Sequence, residues 1–510
     1  MARMIRVGLV TFDFPPQYRR ADVAARPTAI DSKLGAAIGA AGIEVVAPVA
    51  ELAVRDPGAS GGIRDLRDLA NCLDVLRSRR VQCLVIEVFH WARLSLINQL
   101  VGDLDLPVAV FAVVGDGWNG VPCTSAIVGG LREVPRNRPA TLAEAFLGAA
   151  VGDLLRWIAG ASALSRMRSS RVMLWGGGYG AEMGYARSDP AALEGLLLGE
   201  VMTEQEEVLT RKAAAVIDKD HGRIETFLAW LAANGCSIQR DGRMVTDNSL
   251  EFQVALYLAS RDRLAELGAG DPAGQTSLVA ASIKCHYEMS IGCRGCTACF
   301  LPAFLPFGQD SEGPRDILPL ACEGDLNGVA GLALLHQLAP DVPPLFGDLV
   351  AYRSDHVLLR NCGASSVYWA GLSMDPAVCL PRTRLGPNLH GASGAALGYD
   401  TPACPDVTFV RLFREAGSFA MLVGEGRVLA EEADSHYDDP WPHARLDLGV
   451  DTGLLFKAMP CNHGSVSRGR LAHEIELFCA QAGLPVFRCD TETGLRELVL
   501  SRGRSAQGRL

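Results

Sequence analysis

Two stretches near the start of the chain, VQCLVIEVF (81–89) and LPVAVFAVV (106–114), are strand-length apolar runs with almost no polar interruption. A strand with one face in water alternates apolar and polar residues. An unbroken run must be covered on both faces, and a parallel sheet flanked by helices does that. The neighbouring chain supplies the partners: strands IRVGLVTF (5–12) and IEVVAPV (43–49) alternate with helical patterns AIDSKLGAAIGAAG (29–42) and IRDLRDLANCLDVLRSR (63–79). The pattern TLAEAFLGAAVGDLLRWIAGAS (141–162) reads as a closing helix, and the basic stretch RMRSSR as a boundary. Residues 1–170 are therefore expected to form an α/β domain.

A chain of 510 residues exceeds the ~250 that one core supports, so about three domains are expected. The second, 171–352, is again α/β and opens on VMLWGGGYGAEMGYA. Gly176, Gly178 and Gly180 follow a strand there, as in a phosphate-binding turn, but the dinucleotide spacing is not met and a tight strand-to-helix turn is the better reading. The third, 353–510, is strand-rich and mixed. HVLLRNCG, DVTFVRLFR, SFAMLVGEGRVLAE and GLLFKAMP read as its strands, RGRLAHEIELFCAQAG as its one strong helix, and SRGRSAQGRL as a frayed tail. The predicted fold class is thus two N-terminal α/β domains with parallel sheets plus a strand-rich C-terminal domain.

A formal net charge of −10 argues against a nucleic-acid partner, which needs a basic face. MARMIRVGLVTFDF runs straight into a strand without a signal-peptide pattern, and no apolar run is long enough to span a bilayer, so a cytoplasmic protein with no membrane partner is expected. The fifteen cysteines fit that compartment as free thiols. Cys293, Cys296 and Cys299 share a C-x-x-C-x-x-C spacing, with Cys285 nearby, which leaves an iron–sulfur or zinc site open; no following Cys-Pro or second C-x-x-C pair completes one, and a loop of packed thiols is favoured.

The chemistry is expected around ACEGDLNG (321–328), where a strand ends in acids and a helix begins. ILPLAC, NGVAGLALLHQL and PPLFGDL read as one βαβ unit, which would put Glu323 and Asp348 on the carboxyl edge of one parallel sheet. Two carboxylates placed together repel unless a cation joins them. Asp325 is assigned to capping the helix. His463, after Asn462 and before Gly464, reads as part of a strand-to-helix loop and as a third donor, while His336 and His473 lie within helices and are taken as structural. A set rich in hard oxygen favours Mn²⁺ or Mg²⁺.

These motifs, CEGDLNGVAGLALLHQL, PPLFGDLVAY, NCGAS and CNHGSVSRG, resemble those of the L-fucose isomerase and L-arabinose isomerase family, with SIKCHYEMS, DVTFVRLFR and DDPWPHARL in the expected order around them. The likeness is close over roughly 280–490 and extends to the first 280 residues only as a similar two-domain α/β plan. It implies a metal-dependent aldose–ketose isomerase in which Glu323, Asp348 and His463 hold Mn²⁺, with Mg²⁺ or Co²⁺ as alternatives. It also implies a trimer or hexamer whose sites are completed by a neighbouring subunit. Asn462, Trp441, Trp91, Lys284 and His286 would then contact the sugar. Asn361 replaces the His that many relatives carry before CGA, which bears on the substrate.

The expected reaction moves one proton between C1 and C2 of an open-chain sugar. Glu323 and Asp348 would serve as proton-handling groups, their individual roles unassigned. The alternatives are an isomerase of a modified or acidic hexose such as a sulfo-sugar, a non-catalytic sugar-binding protein, and an iron–sulfur or thiol redox protein.

Overall fold

The apolar runs owe their continuity to burial on both faces. In the computed structural model, strands β1 (Arg6–Thr11), β2 (Glu44–Val46), β3 (Cys83–Val88), β4 (Val108–Ala112) and β5 (Glu144–Leu147) form a parallel sheet in the order β2-β1-β3-β4-β5. Along β3, Leu84, Ile86 and Val88 enter one core while Cys83 and Val85 enter the other. The first core is shared with helices Leu66–Ser78 and Leu94–Leu104, the second with Val151–Arg168. The closing pattern is not wholly helical: its EAFL segment is β5, and the helix begins only at Val151. The residues described are 4–13, 32–55, 62–115, 117–133, 143–148, 150–177, 188–269, 277–285, 289–290, 296–363, 365–388, 391–415, 417–430, 441 and 443–507.

The chain divides into two compact units, Met1–Arg166 with His473–Leu484, and Met167–Ala472 with Pro485–Leu510. The second unit contains another parallel sheet, in the order β9-β8-β6-β7, built from β6 (Ser170–Trp175), β7 (Glu200–Glu204), β8 (Ser277–Ile283) and β9 (Leu320–Cys322). It also contains a six-stranded antiparallel barrel: β10 (Leu345–Tyr352), β11 (Val357–Arg360), β12 (Cys404–Glu415), β13 (Ser418–Val428), β14 (His443–Asp447) and β15 (His463–Arg468). The order β12-β15-β10-β11-β14-β13 closes through the β12–β13 pairing, and β16 (Val486–Arg488) adds parallel to β13. Parallel sheet and barrel share one core, in which Met173, Ile283 and Leu320 join Leu345, Phe409 and Val466. The α/β class with parallel sheets and a strand-rich C-terminal domain is therefore what the chain adopts.

Three further local readings differ. GLLFKAMP is not a strand: Thr452–Ala458 is a helix whose cap, Asp451, accepts a hydrogen bond from the Leu454 N–H at 2.7 Å. The final residues are not frayed as far as they are described, since helix Glu492–Gln507 continues into them. Most consequential, β9 and β10 are not parallel neighbours. β9 pairs with β8, whereas β10 lies in the barrel, antiparallel to both β11 and β15. The helix Leu326–Leu338 links two different sheets. Among the described residues no helix is long and apolar enough to cross a membrane.

Candidate functional site

Glu323 follows β9 directly, and its backbone is left-handed, with φ +64°. Gly324 is left-handed too, at φ +70°, and its N–H bonds to the Ile283 carbonyl at 3.1 Å. For a residue with a Cβ that conformation is strained, and such strain collects where a side chain must be aimed. The chain then enters helix Leu326–Leu338, capped as expected by Asp325, which accepts from the Gly328 N–H at 2.9 Å.

The barrel brings up the other groups. In its register His463 on β15 lies opposite Asp348 on β10, and Asp348 lies opposite Arg360 on β11. Directly opposed residues of antiparallel strands project from the same face, so His463, Asp348 and Arg360 form a row across three strands. His463 is thus on a strand, not in a strand-to-helix loop. Gly464 beside it serves packing: a Cβ there would lie 2.1 Å from Cε2 of Phe409.

The parallel-strand argument fails, yet the residues it selected meet. His463 Nε2 stands 3.4 Å from Glu323 Oε2 and 3.4 Å from Asp348 Oδ1. On the other side of the ring, Nδ1 is 2.9 Å from Asp325 Oδ2. The His463 and Asp325 side chains are 1% and 0% exposed, Glu323 7% and Asp348 19%, so the set is closed at the Asp325 end and most open at Asp348. Burial would pull the imidazole pKa down, but the hydrogen bond to Asp325 and the neighbouring Asp348 and Glu323 carboxylates outweigh it and hold His463 well above its ordinary value. Burial likewise works against the Asp325 charge, and the Arg411 guanidinium and His463 overcome it, holding the carboxyl well below the usual range.

Among the described residues, no group of three or more His, Cys, Asp and Glu is arranged as it stands to hold a metal ion. Glu323, Asp348 and His463 are instead closed on one another. Their spacing nonetheless suits a shared ion, because donors held ~2.1 Å from one cation at right angles lie about 3 Å apart. Glu323 Oε2 is also buried without a hydrogen bond, its neighbour being the imidazole 3.4 Å away. A buried carboxylate oxygen left in that state is a ready ligand. One imidazole and two carboxylates fit a hard divalent cation.

Of the other expected residues, Asn462 donates its side-chain amide N–H to Asp348 Oδ1, and its main-chain carbonyl accepts from the Leu349 N–H at 2.7 Å. Trp441 is half-buried, with the Arg360 guanidinium 4.4 Å from its ring centroid. Lys284 follows β8 and packs at Gly176, where an added Cβ would lie 2.9 Å from the Lys284 Cβ and 2.6 Å from Glu206 Oε1. Gly176 is therefore a close-packed turn glycine with φ +82°; Gly178 and Gly180 lie outside the described residues. His286 and Cys293 also lie outside them. Trp91 belongs to the first unit, where it is 40% exposed. Asn361 is buried and holds its loop, donating to the Phe346 carbonyl at 3.3 Å and accepting from the Gly363 N–H at 3.2 Å.

Cys296 and Cys299 face different surroundings. The Cys296 thiol bonds to the Ser249 and Thr297 carbonyls, while Cys299 lines a small cavity with Cys285, Cys322 and Cys362. Burial pushes the Cys296 and Cys299 thiols up to about 12, so both are protonated and poor nucleophiles.

Two residues were not anticipated from the motifs. Arg411, on β12, bonds Asp325 Oδ2 at 2.5 Å and Oδ1 at 3.2 Å, fully buried. The signal was there: one arginine interrupts the apolar run of DVTFVRLFR. Arg360 occupies the row beside Asp348, a position visible only once the strands are paired. No protein-family model matches the chain, and no curated protein matches it either.

Proposed function

We propose that this protein is a metal-dependent aldose–ketose isomerase of the L-fucose/L-arabinose isomerase type, with Glu323, Asp348 and His463 holding a divalent cation, Mn²⁺ for preference and Mg²⁺ or Co²⁺ as substitutes. The observation that carries this reading is the meeting of three donors, read from separate motifs, from two barrel strands and from the turn that follows a strand of another sheet. His463 Nε2 lies within 3.4 Å of both carboxylates. When bound, the ion supplies Lewis-acid stabilisation of negative charge developing on the sugar's adjacent oxygens. The residues do the rest. One carboxylate takes the C2 proton and returns it at C1, and the other manages the hydroxyl proton. Asp348 is the more accessible of the two, and the Asn462 amide holds it in place. Trp441 offers an apolar wall.

Arg360 favours a second reading within the same class. A guanidinium in the row with Asp348 and over Trp441 suits a hexose carrying an acidic group, such as a sulfo-sugar. In keeping with the resemblance, the working form is a cytoplasmic homo-oligomer, trimer or hexamer. The test is a panel of neutral and acidic aldoses assayed for ketose formation after exhaustive chelation and again after Mn²⁺ is restored. Conversion that returns with Mn²⁺ supports the reading. Full activity in metal-free protein removes the metal, and sugar binding without any conversion removes the enzyme.

A further inference from the structure

We infer that Asp325, gripped by Arg411, is a positioning residue for His463: it holds the imidazole with Nδ1–H toward its own carboxylate, so that Nε2 faces Glu323 and Asp348. This rests on the reading of those three residues as metal ligands.

A helix cap needs one acceptor oxygen, and Asn or Ser supplies it in water. Asp325 has far more around it. Its Oδ1 accepts from the Gly328 N–H at 2.9 Å and from Arg411 Nη2 at 3.2 Å. Its Oδ2 accepts from Arg411 Nη1 at 2.5 Å and faces His463 Nδ1 at 2.9 Å. Both oxygens are thus used by donors from a helix N-terminus, from β12 and from β15. An ionised carboxylate only accepts, so the hydrogen between Asp325 and His463 sits on Nδ1. That leaves Nε2, on the opposite side of the ring, aimed at Glu323 and Asp348, 3.4 Å from each.

The burial of this pair exceeds what a helix cap needs. Asp325 and Arg411 are 0% and 1% exposed, and burying an ion pair so completely costs more in lost hydration than a cap would justify. The Arg411 fork holds the carboxylate through both of its oxygens, while Phe346, its centroid 4.9 Å from the imidazole's, packs on the ring at 60°. The ring is thereby held in both tilt and rotation. Partners of this kind orient metal-binding histidines, and removing one typically costs ~10–100-fold in metal affinity.

The test uses the full chain with ¹⁵N-labelled histidine, the His463 signal being assigned by its loss in His463→Gln. Asp325→Asn keeps the shape and the cap but withdraws the anionic acceptor. Asp325→Ser/Arg411→Met keeps a cap and leaves no unpaired buried charge, so it guards against misfolding of the first variant. The expected result is a wild-type Nδ1–H signature altered in both variants, with Mn²⁺ affinity, read by electron paramagnetic resonance titration, reduced ~10–100-fold and cooperative melting retained. An unchanged His463 signature, or Mn²⁺ affinity within threefold of wild type, in either folded variant overturns the positioning role. If wild type binds no Mn²⁺ at all, it is the metal reading that fails, and the imidazole signature alone then decides for or against Asp325.

Discussion

Glu323 combines a left-handed backbone, φ +64°, with a buried carboxylate oxygen that makes no hydrogen bond. Both features cost stability, which points to a use for the side chain beyond folding. Glu323→Gln should reduce kcat by ~10²–10⁴-fold and weaken Mn²⁺ binding, because the amide keeps the shape but loses charge and basicity. Glu323→Gly should be inactive yet melt no lower than wild type, since glycine adopts this backbone without strain. A normal kcat in the first, or a clearly lower melting midpoint in the second, would count against this account. At this scale the sequence was informative about kinds of residue. Acids after an apolar strand and a histidine beside a glycine could be picked out, and Arg411 was conspicuous as a charge within an apolar run. Arg360 carried no such mark.

Elements were less legible where a segment's own pattern allowed two answers. DTGLLFKA has an apolar stretch long enough for a strand, but Asp451 caps a helix at Leu454, and that local bond decides. Gly464 shows the converse. A glycine beside a candidate ligand suggests room for a bound group, whereas the Phe409 ring fills the space above it. Gly464→Ala should therefore destabilise the barrel by ~1–3 kcal/mol, seen as a shifted urea midpoint, because the ring must move to admit a methyl group. An unchanged midpoint would mean the ring yields freely. In the cysteine loop, the triple variant Cys293→Ser/Cys296→Ser/Cys299→Ser should keep whatever sugar conversion the wild type shows under the proposed function, for Cys296 is engaged with backbone carbonyls and both described thiols, Cys296 and Cys299, are protonated. Stoichiometric iron and sulfide in the purified protein, or a folded but inactive variant, would reverse that.

For the whole molecule, pH dependence enters through a buried anion outside the candidate site. Asp310 has a side chain that is 0% exposed; burial opposes its charge, but hydrogen bonds from Arg261 and Tyr257 and the Arg261 charge outweigh it and lower its pKa. A carboxylate with a depressed folded pKa adds stability above the unfolded value of roughly 3.9, and that contribution fades as pH falls through the folded pKa. Wild type should thus lose stability steeply below about pH 4, and Asp310→Asn should be weaker at pH 7 with a flatter acid limb. Parallel limbs in acid denaturation would show that Asp310 contributes nothing to the slope.

The continuous apolar runs of β3 and β4 marked the first sheet as parallel and covered on both faces without help from the rest of the chain, because burial on both faces is a property of each strand's own residues. The type and order of the reactive groups were equally local. Tertiary structure alone decided how those groups meet. The same helix can return its chain to the sheet it left or hand it to a barrel, and nothing within Leu326–Leu338 states which. The choice depends on the register of β10 with β15 and β11, a pairing across more than a hundred residues for the first of them. Asp348 and His463 become opposite neighbours through backbone hydrogen bonds that carry no side-chain signature. Glu323 reaches them from another sheet through a strained turn, and Asp325 reaches the far side of the same imidazole because Arg411 is buried between strands the sequence does not visibly connect.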